Sequence, residues 1–154
     1  MRVENISKHP DTIPTLARWH FDQWSDLYPN DTLESFTSDL RESLTEALVP
    51  STWVLLDDDN VCWGSASIIE QDMTTNLELG PWLASVYIHS DLRGQRLGQR
   101  VVKTVMEEAA KAGLKELYLF TPGQEYFYQT LGWQTLKHER YQGQDVAIMK
   151  AELT

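Results

Sequence analysis

Apolar residues spaced three and four apart dominate four stretches of the chain, and short apolar runs fill most of the remainder. From Pro10 onward, Ile13, Leu16, Ala17, Phe21 and Trp24 share one side of a predicted helix that the Tyr28-Pro29-Asn30 turn ends. Leu33, Phe36, Leu40, Leu44 and Leu48 predict a second helix reaching Pro50, with Asp31 and Glu34 at the spacing of a capping box. After Arg93 a third helix carries Leu97, Val101, Val102, Val105, Met106 and Ala109 on one side, and Gly113 supplies its left-handed terminator. A short fourth helix spans Gln124 to Leu131 and stops at Gly132.

The intervening segments read as strands. Residues 2–6 give a short first one, and Thr52–Leu56 and Val61–Ile69 flank the turn formers Asp57-Asp58-Asp59-Asn60 as a hairpin. A polar loop around Asp72 to Asn76 leads to Pro81 and the apolar run Trp82–Ile88. Leu117–Phe120, Trp133–Glu139 and Asp145–Lys150 complete the set. This order predicts an α/β (α+β) architecture, a mixed sheet with helices on both faces.

Length and charge narrow the classes of function. The 154 residues suit one domain, 1–154, and 42% hydrophobic content argues for a folded core. No run of apolar residues is long enough to span a membrane, and Met1 to Ile6 has no signal-peptide core, so a cytoplasmic location is expected. Cys62 is the single cysteine, which excludes an internal disulfide and a cysteine-based zinc site; no metal is expected. It is read as a buried inert thiol, with a nucleophile as the other reading. A net charge of −10 opposes nucleic-acid binding. Yet Arg93, Arg96, Arg100 and Lys103 lie within eleven residues free of acid. That cluster is either a solvated helix face or the footprint of one small anionic ligand.

The stretch Arg93-Gly94-Gln95-Arg96-Leu97-Gly98 lies between a strand and the third helix. A helix N-terminus exposes unpaired amides and attracts phosphate, and glycines let the backbone approach it closely. Neighbouring arginines would add charge-assisted bonds. The stretch is neither a P-loop nor a dinucleotide-binding fingerprint.

With the strand before it, Val86 to Gly98 resembles the acetyl-CoA motif of the GNAT N-acetyltransferase superfamily, which reads Gln/Arg-x-x-Gly-x-Gly/Ala. Arg93 and Gly98 match its ends, and Arg96 stands where the middle glycine is usual, a change that a right-handed backbone would accept. Phe127-Tyr128-Gln129-Thr130-Leu131-Gly132-Trp133 resembles the superfamily's Phe-Tyr-x-x-Leu-Gly-Phe signature. The resemblance covers about a third of the chain.

It implies a mostly antiparallel twisted sheet of six to seven strands flanked by about four helices, and transfer of an acetyl group from acetyl-CoA to an amine. It also implies coenzyme contacts from Val86, Tyr87, Ile88, Arg93, Gly94, Gln95, Arg96, Leu97, Gly98, Gln99, Thr121, Phe127 and Tyr128. The phenol of Tyr128 would hydrogen-bond or protonate the leaving thiolate. Homodimers are frequent in the superfamily, so one is possible here; a non-catalytic acetyl-CoA sensor is the alternative function.

Freeing an alkyl amine of its proton at neutral pH costs roughly 4–5 kcal/mol, so a base is needed. Candidates are Glu70, Asp72, Glu78 and His89, with Asp72 and Glu70 preferred because they end a strand near the expected acceptor cleft. Excess acid suggests a cationic acceptor. Trp19, Trp24, Tyr28 and Trp82 are candidate pocket walls or core residues.

Overall fold

The computed structural model describes residues 1–153. Its strands are β1 (Arg2–Asn5), β2 (Ser51–Leu56), β3 (Cys62–Ile69), β4 (Trp82–Ile88), β5 (Glu116–Thr121), β6 (Gln134–Tyr141) and β7 (Gln144–Glu152). Its helices are α1 (Ile13–Trp24), α2 (Leu33–Glu42), α3 (Leu97–Lys111) and α4 (Glu125–Thr130), with short 3-10 turns between some of them. The strands form one sheet in the order β1-β2-β3-β4-β5-β7-β6. Every neighbouring pair is antiparallel except β4 with β5.

Side chains alternate across a strand, and β2 shows how that divides the core. Leu55 faces one side, where Ala66, Ile68, Leu83, Leu117, Leu119 and Met149 meet Val101, Val102, Val105 and Ala109 of α3. Val54 and Leu56 face the other side, with Cys62, against Ile13, Leu16 and Ala17 of α1 and Leu40 of α2. The helical spacing therefore marks the faces that are buried. Burial also settles the cysteine: Cys62 donates to the Gly64 carbonyl at 3.4 Å, and its thiol is pushed up to about 11. It is an inert core group.

Turn chemistry is as expected at three places. Gly113 and Gly132 adopt φ of 93° and 95° after α3 and α4, and Asn60 takes φ 62° in the β2–β3 hairpin. The second helix differs. It ends at Glu42 and not near Pro50, because Ser43 is buried and its hydroxyl accepts from Thr52 Oγ1 at 2.8 Å. Its capping box is Thr32 with Ser35, one residue beyond the Asp31 and Glu34 pair expected, and both reciprocal bonds are present. Among the described residues no helix is long and apolar enough to cross a membrane.

Two irregularities position the site. Strands β4 and β5 share one register pair, Trp82 with Tyr118, and Tyr118 N–H donates to Pro81 O at 3.0 Å. Beyond it the β5-facing edge of β4 has no strand partner. On the other side, Ser65 pairs with Tyr87 and Ser67 with Ala84. Ala66 thus faces two residues, Ser85 and Val86, which is a bulge on β4, and Ser85 takes φ 54° there.

Candidate active site

The bulge is held from behind. Ser65 Oγ donates to the Ser85 carbonyl at 3.1 Å, and His20 Nε2 lies 2.9 Å from the same hydroxyl. A hydroxyl has one proton, so the imidazole is the donor and carries its hydrogen on Nε2. His20 is 3% exposed, and burial lowers its pKa to about 4, so the ring is neutral. Nothing in the motifs pointed to His20. The only signal was a histidine four residues after Leu16 on the apolar side of α1.

At the end of β4 the chain enters the predicted phosphate loop. Gly94 takes φ 84°, which glycine allows at little cost. Arg96 takes φ 61° and is the N-cap of α3, so the right-handed backbone expected there is corrected to a left-handed one. The first backbone bond of α3 runs from Arg100 N–H to Arg96 O at 3.2 Å, leaving the amides of Leu97, Gly98 and Gln99 without helical acceptors.

A Cβ on Gly98 would meet Ile88 Cγ1 at 3.7 Å and Phe127 Cζ at 3.8 Å, ordinary contacts. Packing within the protein therefore does not require glycine at this point in the helix, where glycine costs about 1 kcal/mol relative to alanine. The bare backbone beside three free amides suits a phosphate ligand. Arg93 is partly committed elsewhere: its Nε donates to Ile88 O at 3.0 Å and its guanidinium lies 5.8 Å from the Tyr87 ring centre. Arg96, Gln95, Arg100 and Lys103 are exposed, and none of the four basic residues forms an ion pair among the described residues.

A cavity of about 800 Å³ runs from the gap between β4 and β5 to α1 and α2. At the sheet end it is lined by Ser85, Val86, Thr121 and Tyr128. Tyr128 packs edge-on against Phe127 (5.0 Å) and Trp133 (5.9 Å), and its hydroxyl has no hydrogen-bond partner among the described residues. Burial pushes its phenol up to about 12. Thr121 uses its hydroxyl to accept from Gln124 N at 3.0 Å, which shapes the turn into α4.

Of the four predicted bases, Glu70 and Asp72 line this cavity. Glu78 lines a neighbouring open depression with Leu77, Gly80 and Pro81, which shares Glu70 and Gln71 with the cavity. His89 lies against Trp19 and Trp63, and its Nδ1 accepts from Asp91 N at 3.2 Å. Asp72 is half-buried, and desolvation pushes its carboxyl up to about 7. The aromatic candidates divide as well. Trp24 and Tyr28 line the cavity, Trp19 stacks on Tyr87 at 5.7 Å, and Trp82 is core.

Three further acids line the cavity: Asp31, expected only as part of a helix cap, and Asp39 and Glu42, which the sequence did not single out. Burial, and then the charges of Glu42 and Asp31, hold Asp39 above the usual carboxylate range. Tyr28 is pushed up to about 12 by burial, and next by Asp72, Tyr141 and Asp31. Tyr28 therefore lies within charge range of both Asp72 and Asp31.

A family profile described as an acetyltransferase (GNAT) domain matches residues 50–135. No curated protein matches the chain in sequence. Among solved structures, an aminoglycoside 6'-acetyltransferase type Ii is 20% identical, with a TM-score of 0.76 over 100% of this chain and 98% of that one. An aminoglycoside 6'-N-acetyltransferase complexed with coenzyme A is 17% identical, with a TM-score of 0.71 over 100% and 98%. A ribosomal-protein-alanine N-acetyltransferase from Brucella melitensis is 15% identical, with a TM-score of 0.76 over 99% of both chains. At these identities the likeness is one of fold.

Proposed function

The chain belongs to the GNAT acetyltransferase family, and from that premise we propose that its single domain acetylates an amine by direct attack on acetyl-CoA. Acetyl-CoA, when bound, supplies an activated carbonyl carbon and a thiol leaving group. The observation that carries the proposal is the placing of three features along β4. Its bulged, unpaired edge and the unpartnered hydroxyl of Tyr128 share the cavity, and the free amides at the start of α3 lie next to the strand's end, where Gly98 neighbours Ile88 and Phe127.

In this reading, the amides of Leu97, Gly98 and Gln99 bind pyrophosphate, and the backbone from Val86 to Ile88 lies along the pantetheine arm. A main-chain N–H beside the bulge stabilises the carbonyl oxygen as it gains charge, at a typical worth of about 3 kcal/mol. Asp72, with Glu70 beside it, takes the proton that the attacking ammonium must lose, directly or through water. A carboxylate near 7 is a far better base than one near 4, which is the effect of its burial.

The nitrogen forms its bond to the acetyl carbon as the carbon–sulfur bond breaks, the electron pair leaves on sulfur, and the second proton of the nitrogen passes through water to the thiolate. Tyr128 donates a hydrogen bond to that sulfur. Complete proton transfer from a phenol near 12 to a thiolate near 8.5 is uphill by roughly 5 kcal/mol, so donation without transfer is the favoured role. Cys62, buried and inert, takes no part, and a reducing cytoplasm suits it.

The test is release of free thiol from acetyl-CoA in the presence of a panel of amines. Tyr128→Phe should lower kcat about a hundredfold and leave coenzyme affinity within twofold. Unchanged turnover in this variant would remove the tyrosine from the reaction. Binding of acetyl-CoA with no thiol release from any amine would favour a sensor.

A further inference from the structure

The cavity next to the coenzyme gap has five carboxylates in its lining, Asp31, Asp39, Glu42, Glu70 and Asp72, and no lysine or arginine. Its one basic side chain, His20, is buried and neutral. None of the five acids takes part in any ion pair among the described residues, although acids elsewhere on the molecule do so repeatedly. Asp31 accepts one weak bond from Ser35 Oγ at 3.4 Å.

Asp72 differs from the other four in its surroundings. Its carboxyl is desolvated by the surrounding protein, lines the cavity and has no hydrogen-bond or ion-pair partner among the described residues. A carboxylate in such a place is stable only if it is neutralised or met by a cation from outside.

The acids come from two parts of the chain: Glu70 and Asp72 follow β3, whereas Asp39 and Glu42 stand on α2, with Asp31 just before it. Tyr28 lies within charge range of both Asp72 and Asp31. Five carboxylates around one cavity exceed the charge that a single ammonium neutralises. Trp24, Tyr28 and Phe36 add ring faces that favour cations. The volume suits a small ligand in a walled pocket.

We propose that the acceptor is a small molecule with two or more cationic amino groups, one presented to Asp72 for acetylation and another held by the acids of α2. This rests on the acetyl transfer proposed above. Linear polyamines and amino sugars share that chemistry.

The test compares butylamine, 1,4-diaminobutane, spermidine and an amino sugar bearing several amines, using the full chain. Thiol release is followed with saturating acetyl-CoA, and binding is followed by calorimetry without coenzyme. The expected result is a kcat/KM at least a hundredfold higher for the polyamines or the amino sugar than for butylamine, with the gap narrowing as salt rises. The preferred arm identifies the source. Asp39→Asn should lower kcat/KM for the diamine about tenfold and shrink that gap, whereas Asp58→Asn, an equal change in net charge in the exposed β2–β3 hairpin outside the cavity lining, should leave it intact. Equal kcat/KM for mono- and polyamine, or an equal effect of the two substitutions, overturns the proposal. If thiol is released from no amine, calorimetry still decides: selective binding of the polyamines sustains the cavity as a polycation site and sinks acetyl transfer, and equal or absent binding sinks the polycation site itself.

Discussion

Arg96 holds φ 61° at the N-cap of α3, in backbone space where a side chain is crowded by the following carbonyl. Replacing it with glycine removes that crowding, about 1–2 kcal/mol for an L-residue. Glycine's freer unfolded chain takes back about 0.4–1 kcal/mol, so the net gain is about 0.5–1 kcal/mol. With an unfolding entropy of about 2.1 cal/mol/K per residue, a chain of 154 residues gains roughly 2–3 °C in Tm. Arg96→Ala keeps the strained φ and should gain nothing, which makes it the control. The arginine side chain is exposed and has no ion pair, so nothing within the protein offsets the strain. In the proposed reading its use lies with the coenzyme. Loss of one charge-assisted contact should weaken coenzyme A about tenfold at low salt in both variants, and less at high salt. Scanning calorimetry on the free protein and titration calorimetry with coenzyme A read the two effects separately. If the glycine variant is no more stable than the alanine variant, the loop is not strained. If both bind coenzyme as tightly as the parent, the guanidinium is not a phosphate ligand.

Asp72→Asn should remove the limb of the kcat/KM profile that rises through about pH 7, because that limb reports ionisation of the Asp72 carboxyl. The same variant should melt higher than the parent at pH 8. The native carboxyl titrates above its unfolded value near 3.9, so the parent loses stability as pH rises from about 4 to about 7, and asparagine does not. A parent-like pH profile in the variant would assign the base elsewhere. His20→Phe should lower kcat about tenfold by releasing the β4 bulge, and His20→Gln, which restores an N–H donor toward Ser65, should recover part of the loss. Equal losses in both would reduce His20 to a packing residue.

The parts of the site that were legible in the sequence are those built on local rules. The α3 stripe, Gly113 behind it, the glycines of the loop and the Phe127-Tyr128 pair all speak through spacing and backbone geometry that neighbouring residues decide. The second helix shows where that logic stops. Leu44 and Leu48 continue the helical period, but a bond between Ser43 and Thr52, nine residues apart, takes the chain out of the helix. The β4 bulge left no mark in Trp82-Leu83-Ala84-Ser85-Val86-Tyr87-Ile88, an uninterrupted strand pattern without glycine or proline. It depends on Ser65 and His20, brought from two other elements. The acids of α2 were unreadable for a related reason: on a helix they look like any solvated face, and only the fold turns them toward Asp72.

The junction between β4 and β5 also divides the molecule along its chain. Strands β1 to β4 come from residues before position 89 and β5 to β7 from residues after 115, and the sheet joins these halves at one register pair. The two halves nevertheless share one apolar core, in which Val101, Val102, Val105 and Ala109 of α3 cluster with Leu55 and Leu83 of the first half and Leu117 and Met149 of the second. A ligand lying along the open edge of β4 would add a second tie between the halves and should slow amide exchange on both sides of the gap.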